Sequence, residues 1–86
     1  DLSHQGRVLW VGGLAGDVFH EIELGELFSC YGPVESVRLI AEREYAFVSF
    51  LRPEDAERAR FELHGALIRG CTLRIGYAKV RRACVN

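Results

Sequence analysis

Apolar positions along this chain recur with two different periods, and the switches between them mark out its elements. From Arg7 to Gly13 the pattern alternates every second residue. Leu9 and Val11 fall on one side, Trp10 and Gly12 on the other, as in a half-buried strand. Leu14-Ala15-Gly16-Asp17 reads as a turn. Leu24, Leu27, Phe28 and Tyr31 then fall at i, i+3, i+4 and i+7, which puts them on one stripe of a helix. Gly32 and Pro33 end that helix, since proline cannot continue it; its start is marked only by Asp17. Val34 to Ile40 alternates again, with Val37 and Leu39 set against Ser36, Arg38 and Ile40. Ala41-Glu42-Arg43 is too short for a crossover and so predicts a hairpin into a strand over Glu44 to Leu51. Pro53 opens a second helix, with Glu54 and Asp55 favourably placed in its first turn. Ala56, Ala59 and Leu63 form the buried stripe of this helix, and Gly65 closes it. Thr72 to Lys79 returns to alternation, with Leu73, Ile75 and Tyr77 opposed to Arg74, Gly76 and Ala78.

The order is therefore βαββαβ. It predicts an α+β, ferredoxin-like sandwich: a four-stranded antiparallel sheet with two helices on one face. Eighty-six residues with 49% apolar content suffice for one such core. We assign residues 7–80 to the domain, 1–6 to a flexible leader and 81–86 to a basic tail. A start at Asp1 suggests a monomeric domain cut from a larger multidomain protein. No apolar run approaches the roughly 20 residues needed to cross a bilayer, so no membrane role is expected. Cys30, Cys71 and Cys84 lack a C-x-x-C spacing, which argues against a disulfide framework and a cysteine-based metal site. Cys30 and Cys71 are read as small apolar side chains near the core and Cys84 as exposed.

The alternation leaves one face uncovered. If the helices cover Leu9, Val11, Ala46, Val48 and Phe50, then Trp10, Tyr45 and Phe47 stand on bare sheet. Large rings in water mark a binding surface. Nucleobases are suited to it, because each has a flat face and stacking on an aromatic side chain contributes about 1–3 kcal/mol per base.

At these residues the chain resembles the RNA-recognition-motif family. Leu9-Trp10-Val11-Gly12-Gly13-Leu14 is similar to that family's first-strand signature. Arg43-Glu44-Tyr45-Ala46-Phe47-Val48-Ser49-Phe50 is similar to its third-strand signature. The resemblance runs from about Arg7 to Lys79 and implies that Trp10 and Tyr45 or Phe47 carry two central bases and their sugar. Within the family, the first-strand motif, the short hairpin and Leu73-Arg74-Ile75-Gly76-Tyr77-Ala78-Lys79 look most like split-ends-type domains. That likeness implies a nuclear protein of RNA processing or transcriptional regulation. Two positions depart from the family pattern. Glu44 stands where glycine is preferred, which would weaken binding or tilt the preference among bases, and Gly13 replaces an asparagine that would brace the following loop.

Net charge is −1, yet the charges are segregated. Asp17, Glu21, Glu23, Glu26, Glu54, Asp55, Glu57 and Glu62 fall on or beside the helices. Arg7, Arg38, Arg43, Arg74, Lys79, Arg81 and Arg82 fall on the sheet or its tail. The expected RNA-binding residues are Trp10, Tyr45 and Phe47 as platforms beside Gly12, with Arg38, Arg43, Arg74, Lys79 and Arg81 for polar and phosphate contacts. The partner is single-stranded RNA, with no cofactor, metal or catalytic group; His4, His20 and His64 are too scattered to serve an active site. The rival is a protein-binding member of the same family that uses its sheet or its acidic first helix. Its Arg-x-Phe loop would correspond to Arg69-Gly70-Cys71, which lacks the phenylalanine. Phe61 lies off the buried stripe and is expected to be exposed, offering a possible contact to a partner protein on the helical side.

Overall fold

The computed structural model describes residues 6–14 and 19–78. The leader up to residue 5, the turn residues Ala15 to Asp17, Lys79, and the tail with Arg81, Arg82 and Cys84 lie outside the described residues. Strand β1 spans Val8–Gly12, helix α1 Glu21–Ser29, β2 Val34–Ile40, β3 Tyr45–Phe50 and α2 Pro53–Leu63. Three short strands follow: β4 Leu67–Ile68, β5 Cys71–Thr72 and β6 Arg74–Tyr77. β2, β3, β1 and β6 form an antiparallel sheet in that order, as the βαββαβ pattern requires. Among the described residues, no helix is long and apolar enough to cross a membrane.

The core lies between the helices and one face of the sheet. Leu9 and Val11 from β1, Ala46, Val48 and Phe50 from β3, and Leu73 and Ile75 around β6 are all buried. Leu24 and Phe28 from α1 and Ala56, Ala59 and Leu63 from α2 complete it. Phe28 meets Phe50 edge-on, with ring centroids 6.2 Å apart. Burying each of these rings fully contributes roughly 1.5–3 kcal/mol. The two alanines let α2 lie close to the sheet, where a larger side chain would hold it away.

The start of α1 differs from the expectation built on Asp17. The helix begins after His20, whose backbone N–H donates to the Glu23 carboxylate at 3.2 Å, the reach-back half of a capping box. Phe19, not assigned a role from the sequence, is buried just ahead of that cap.

The last strand is shorter than the pattern suggested. Thr72, where the pattern starts it, instead pairs with Leu67 beside the Cys71–Ile68 pair in a two-stranded ribbon. Arg69 and Gly70 form its two-residue turn, both with positive φ (54° and 80°), the geometry that matches strand twist in tight hairpins. An arginine in this left-handed conformation is strained. Its guanidinium is engaged, with an ion pair to Glu23 at 2.9 Å and a position over the Phe19 ring at 5.5 Å. The ribbon is thereby fastened to the front of α1.

Both edge strands have an amide satisfied by a side chain from the helical layer. On β2, Leu39 N–H donates to the Glu21 carboxylate at 2.9 Å. On β6, Ile75 N–H donates to His64 Nδ1 at 3.0 Å. Exposed edge amides invite pairing with another chain, and these contacts occupy one on each side. Cys71 is buried as expected, but Cys30 is exposed at the end of α1, its thiol directed to the Glu26 carbonyl. The helix has already ended by this point, so no neighbouring element covers Cys30.

Candidate nucleic-acid interface

The strand registers place the candidate residues in two rows across the sheet. One row runs Arg38, Phe47, Trp10, Gly76 from β2 to β6. The next runs Ile40, Tyr45, Gly12, Arg74. Because facing residues in paired strands lie on the same side of a sheet, all eight belong to the face without helices. Three aromatics and two glycines occupy the central positions of the inner strands or lie beside them, and an arginine closes each row at opposite edges.

The rings are gathered rather than spread. Trp10 and Tyr45 have centroids 5.7 Å apart with planes inclined by 42°. Tyr45 and Phe47 are 5.5 Å apart and nearly perpendicular. Trp10 reaches Tyr45 diagonally because its indole leans over Gly12; a Cβ on Gly12 would overlap the far edge of that ring. All three rings are half-buried. Trp10 and Tyr45 thus offer two inclined surfaces, while Phe47 stands edge-on to Tyr45.

Gly76 was not singled out from the sequence. It faces Trp10 in the register, and a Cβ there would meet nothing within 4 Å. The sheet is therefore bare on the β6 side of the indole, leaving room for a planar group. A lone glycine inside an alternating strand is the signal that could have marked it.

The hairpin beside the rings is a 3-10 turn over Ala41–Arg43, followed by Glu44 at φ 60° and ψ 36°. This left-handed position explains why glycine suits the site: it adopts φ > 0 without steric cost. Glu44 N–H donates to the Ala41 carbonyl, and the Glu44 carbonyl accepts from Leu14 N–H, both at 3.2 Å. Gly13, with φ 84°, is also confined to glycine, since a Cβ would overlap the Thr72 carbonyl oxygen. The two backbones pass close together here, which leaves no room for the asparagine of the family pattern.

Arg38, Arg43 and Arg74 are exposed around the rings. Glu42 and Glu44 on the same hairpin partly offset the charge of Arg43. On the opposite side α1 carries Glu21, Glu23 and Glu26 and no basic residue. The Glu23 carboxyl is held below its ordinary range, chiefly by the hydrogen bond from the Arg69 guanidinium. Lys79 and Arg81, the other two expected contacts, lie outside the described residues.

The family model for the RNA recognition motif matches residues 9–74, which contain both signature strands and both helices. The chain belongs to the RNA recognition motif family. Flowering time control protein FPA of Arabidopsis thaliana is 33% identical over 84 residues, covering 98% of this chain and 9% of that protein. Serine/arginine-rich splicing factor SR30, also of Arabidopsis thaliana, is 39% identical over 79 residues, covering 88% of this chain and 29% of that protein. The chain thus spans less than a third of either relative. Among solved structures, the Sex-lethal RNA recognition domains 1 and 2 from Drosophila melanogaster superimpose with a TM-score of 0.75 at 31% identity. That match covers 87% of this chain and 51% of the other. A protein/RNA complex of the same kind matches with the same score and identity over 86% of this chain and 47% of that one.

Proposed function

We propose that this domain binds a short single strand of RNA across the helix-free face of its sheet, as one module of a larger RNA-processing or transcription-regulating protein. The observation that carries this reading is the cluster of Trp10, Tyr45 and Phe47 on uncovered sheet, between the arginines that end the two rows. Two successive bases stack on Trp10 and Tyr45, entering over the bare backbone at Gly76 and beside Gly12. Phe47, edge-on to Tyr45, packs against the sugar between them. Arg38 and Arg74 sit where a backbone crossing the rows would pass, and Arg43 adds charge at the hairpin. Lys79 and Arg81 extend the basic side in sequence and contact phosphates further along.

Such a surface accommodates roughly two to four unpaired nucleotides. One module of this size binds weakly, and neighbouring modules in the parent protein raise the effective affinity. The domain acts as a binding module rather than as a catalyst, and the nucleus is the compartment that suits it. The relatives' names, which speak of a splicing factor and of RNA recognition domains, support that placement. The finer likeness to split-ends-type domains belongs to the same proposal.

The test is a nuclear magnetic resonance titration with randomised short RNAs. Amide shifts should concentrate on β1, β3 and the outer ends of the two rows, and spare α1 and α2. Since Trp10 is the single tryptophan in the chain, its fluorescence should quench in step. Shifts confined to the helices, or no response to any RNA pool, would refute the proposal.

A further inference from the structure

We infer that Ser36 and Ser49 read the edge of an unpaired base, which makes them specificity-determining residues of a subsite beside the ring cluster. This rests on the RNA-binding reading above and adds a third row to the two that carry rings and arginines. Ser36 faces Ser49 in the β2–β3 register, and Ser49 faces Val8 in the β1–β3 register. The bulge in β2 lies before Ser36 and leaves this pairing intact. Ala78 N–H donates to the Val8 carbonyl at 2.9 Å, which extends the row to the β6 side. The row is therefore Ser36, Ser49, Val8, Ala78. Residues two apart on a strand share a face, so Ser49 stands with Phe47, Val8 with Trp10 and Ser36 with Arg38. The intervening Leu9 and Val48 are buried in the core on the opposite side.

Three observations suit this row to a base edge. The first is height. The Trp10 indole leans over Gly12 and the Phe47 ring packs 5.5 Å from Tyr45, both on the side away from Val8 and Ser49. Four small side chains thus form a low shelf beside the rings. The second is charge. Each of the other rows ends in an arginine, Arg38 or Arg74, whereas the shelf holds no charge. Phosphates are drawn to the arginines, and the shelf takes an uncharged part of the nucleotide. The third is unmet hydrogen bonding. Directly opposed residues have Cβ atoms about 4.5–5.5 Å apart, so the two hydroxyls stand side by side. Among the described residues neither takes part in a hydrogen bond. A hydroxyl both donates and accepts, which matches the mixed donors and acceptors of a base edge. Neighbouring rows lie about 6.6 Å apart along the strands, a span that a base over the ring-bearing row bridges. Serine is otherwise poorly suited to a sheet face, where β-branched and aromatic residues pack better.

The experiment uses the full chain and short RNAs of equal length that differ at one position at a time, with all four bases tried at each. Trp10 fluorescence follows binding at several salt concentrations for the wild type, Ser36→Val, Ser49→Val, the double valine variant and Ser49→Thr. Valine suits a strand and removes the hydroxyl, whereas threonine keeps it. For the wild type, one position should favour its best base over its worst by about three- to tenfold, the scale of one or two hydrogen bonds. Each valine variant should reduce that ratio, and the double variant should bring it to within about twofold. The slope of log affinity against log salt should stay as it was, since no phosphate contact is removed. Ser49→Thr should retain the preference. A preference that survives the double substitution, an equal loss of affinity for every base, or a changed salt slope overturns the assignment. So does a wild type that binds RNA with no base preference at any position. A wild type that binds no RNA at all overturns the RNA-binding reading itself, and this one with it.

Discussion

The indole of Trp10 rests across Gly12, two residues further along its own strand, and so reaches the Tyr45 ring diagonally. Strand geometry alone would set Trp10 opposite Phe47, its register partner. The missing side chain at Gly12 is what lets the ring lie down over the sheet. Gly12→Ala should therefore lift the indole and disturb the inclined pair of surfaces. We expect RNA affinity to fall by about tenfold, within the range set by one stacked base. Stability in urea should change by less than about 1 kcal/mol, the usual scale of such backbone effects. A Trp10 emission spectrum and RNA affinity both unchanged in the variant would show that the leaning ring does not matter.

Phe47 separates apolar contact from charge. Phe47→Ala removes the open-face ring that packs against the sugar, so the fold should persist while RNA binding weakens by less than the roughly 1–3 kcal/mol of a stacked base. Arg38→Gln and Arg74→Gln should behave differently. Each removes one phosphate contact, which lowers the dependence of log affinity on log salt by about 0.7 for single strands. Titrations at several salt concentrations distinguish the two effects. A Phe47 variant that alters the salt slope, or arginine variants that leave it unaltered, would contradict these roles.

Much of this surface was legible from period-two alternation, since each strand has only two sides and the helices cover one. Trp10, Tyr45, Phe47, Arg38 and Arg74 were placed on the open face by that rule, and the registers agree. Other features were hidden because they depend on contacts distant in sequence. Glu23 caps α1 while pairing with Arg69, and nothing in the local pattern around residue 20 reveals a partner beyond residue 60. The β4–β5 ribbon was missed for a different reason. Leu67-Ile68 and Cys71-Thr72 are too short to show periodicity, and only the turn residues between them signal a hairpin. Cys30 shows the limit of composition: cysteine is buried more often than most residue types, but here it lies just past the end of a helix.

His64 holds the outer edge of the sheet through a single acceptor. In His64→Ala the amide of Ile75 loses its partner, while the Ile75 side chain remains buried. The expected cost is about 0.5–1.5 kcal/mol, appropriate to one lost hydrogen bond. Hydrogen exchange at Ile75 should accelerate more than at Val11, its register partner in the sheet interior. Equal acceleration at both amides would point to general loosening rather than a local latch.

Glu23 gives the fold an acid-sensitive fastening. Its carboxyl is held below its ordinary value of 4.5 by the Arg69 hydrogen bond, aided by the His20 N–H and the Arg69 charge. The unfolded chain therefore takes up that proton more readily than the folded one. The contribution of Glu23 is complete above the unfolded value and is lost as pH falls through the lower folded value. Thermal melts of wild type and Glu23→Gln should differ most at neutral pH and converge in acid. A gap that widens on acidification would reverse the sign of this linkage.

Replacing Glu44 also probes stability independently of any RNA. A non-glycine residue in the left-handed region costs roughly 1–2 kcal/mol, while glycine costs about 0.5–1 kcal/mol through the greater freedom of the unfolded chain. The difference favours Glu44→Gly, so the variant should be more stable by about 0.5–1 kcal/mol in urea unfolding. Glu44→Gln keeps a Cβ at the same φ of 60° and should gain nothing. If glutamine stabilised the domain as much as glycine, repulsion of the carboxylate rather than backbone strain would be the cost carried at this turn, and the hairpin would be relaxed with any uncharged side chain.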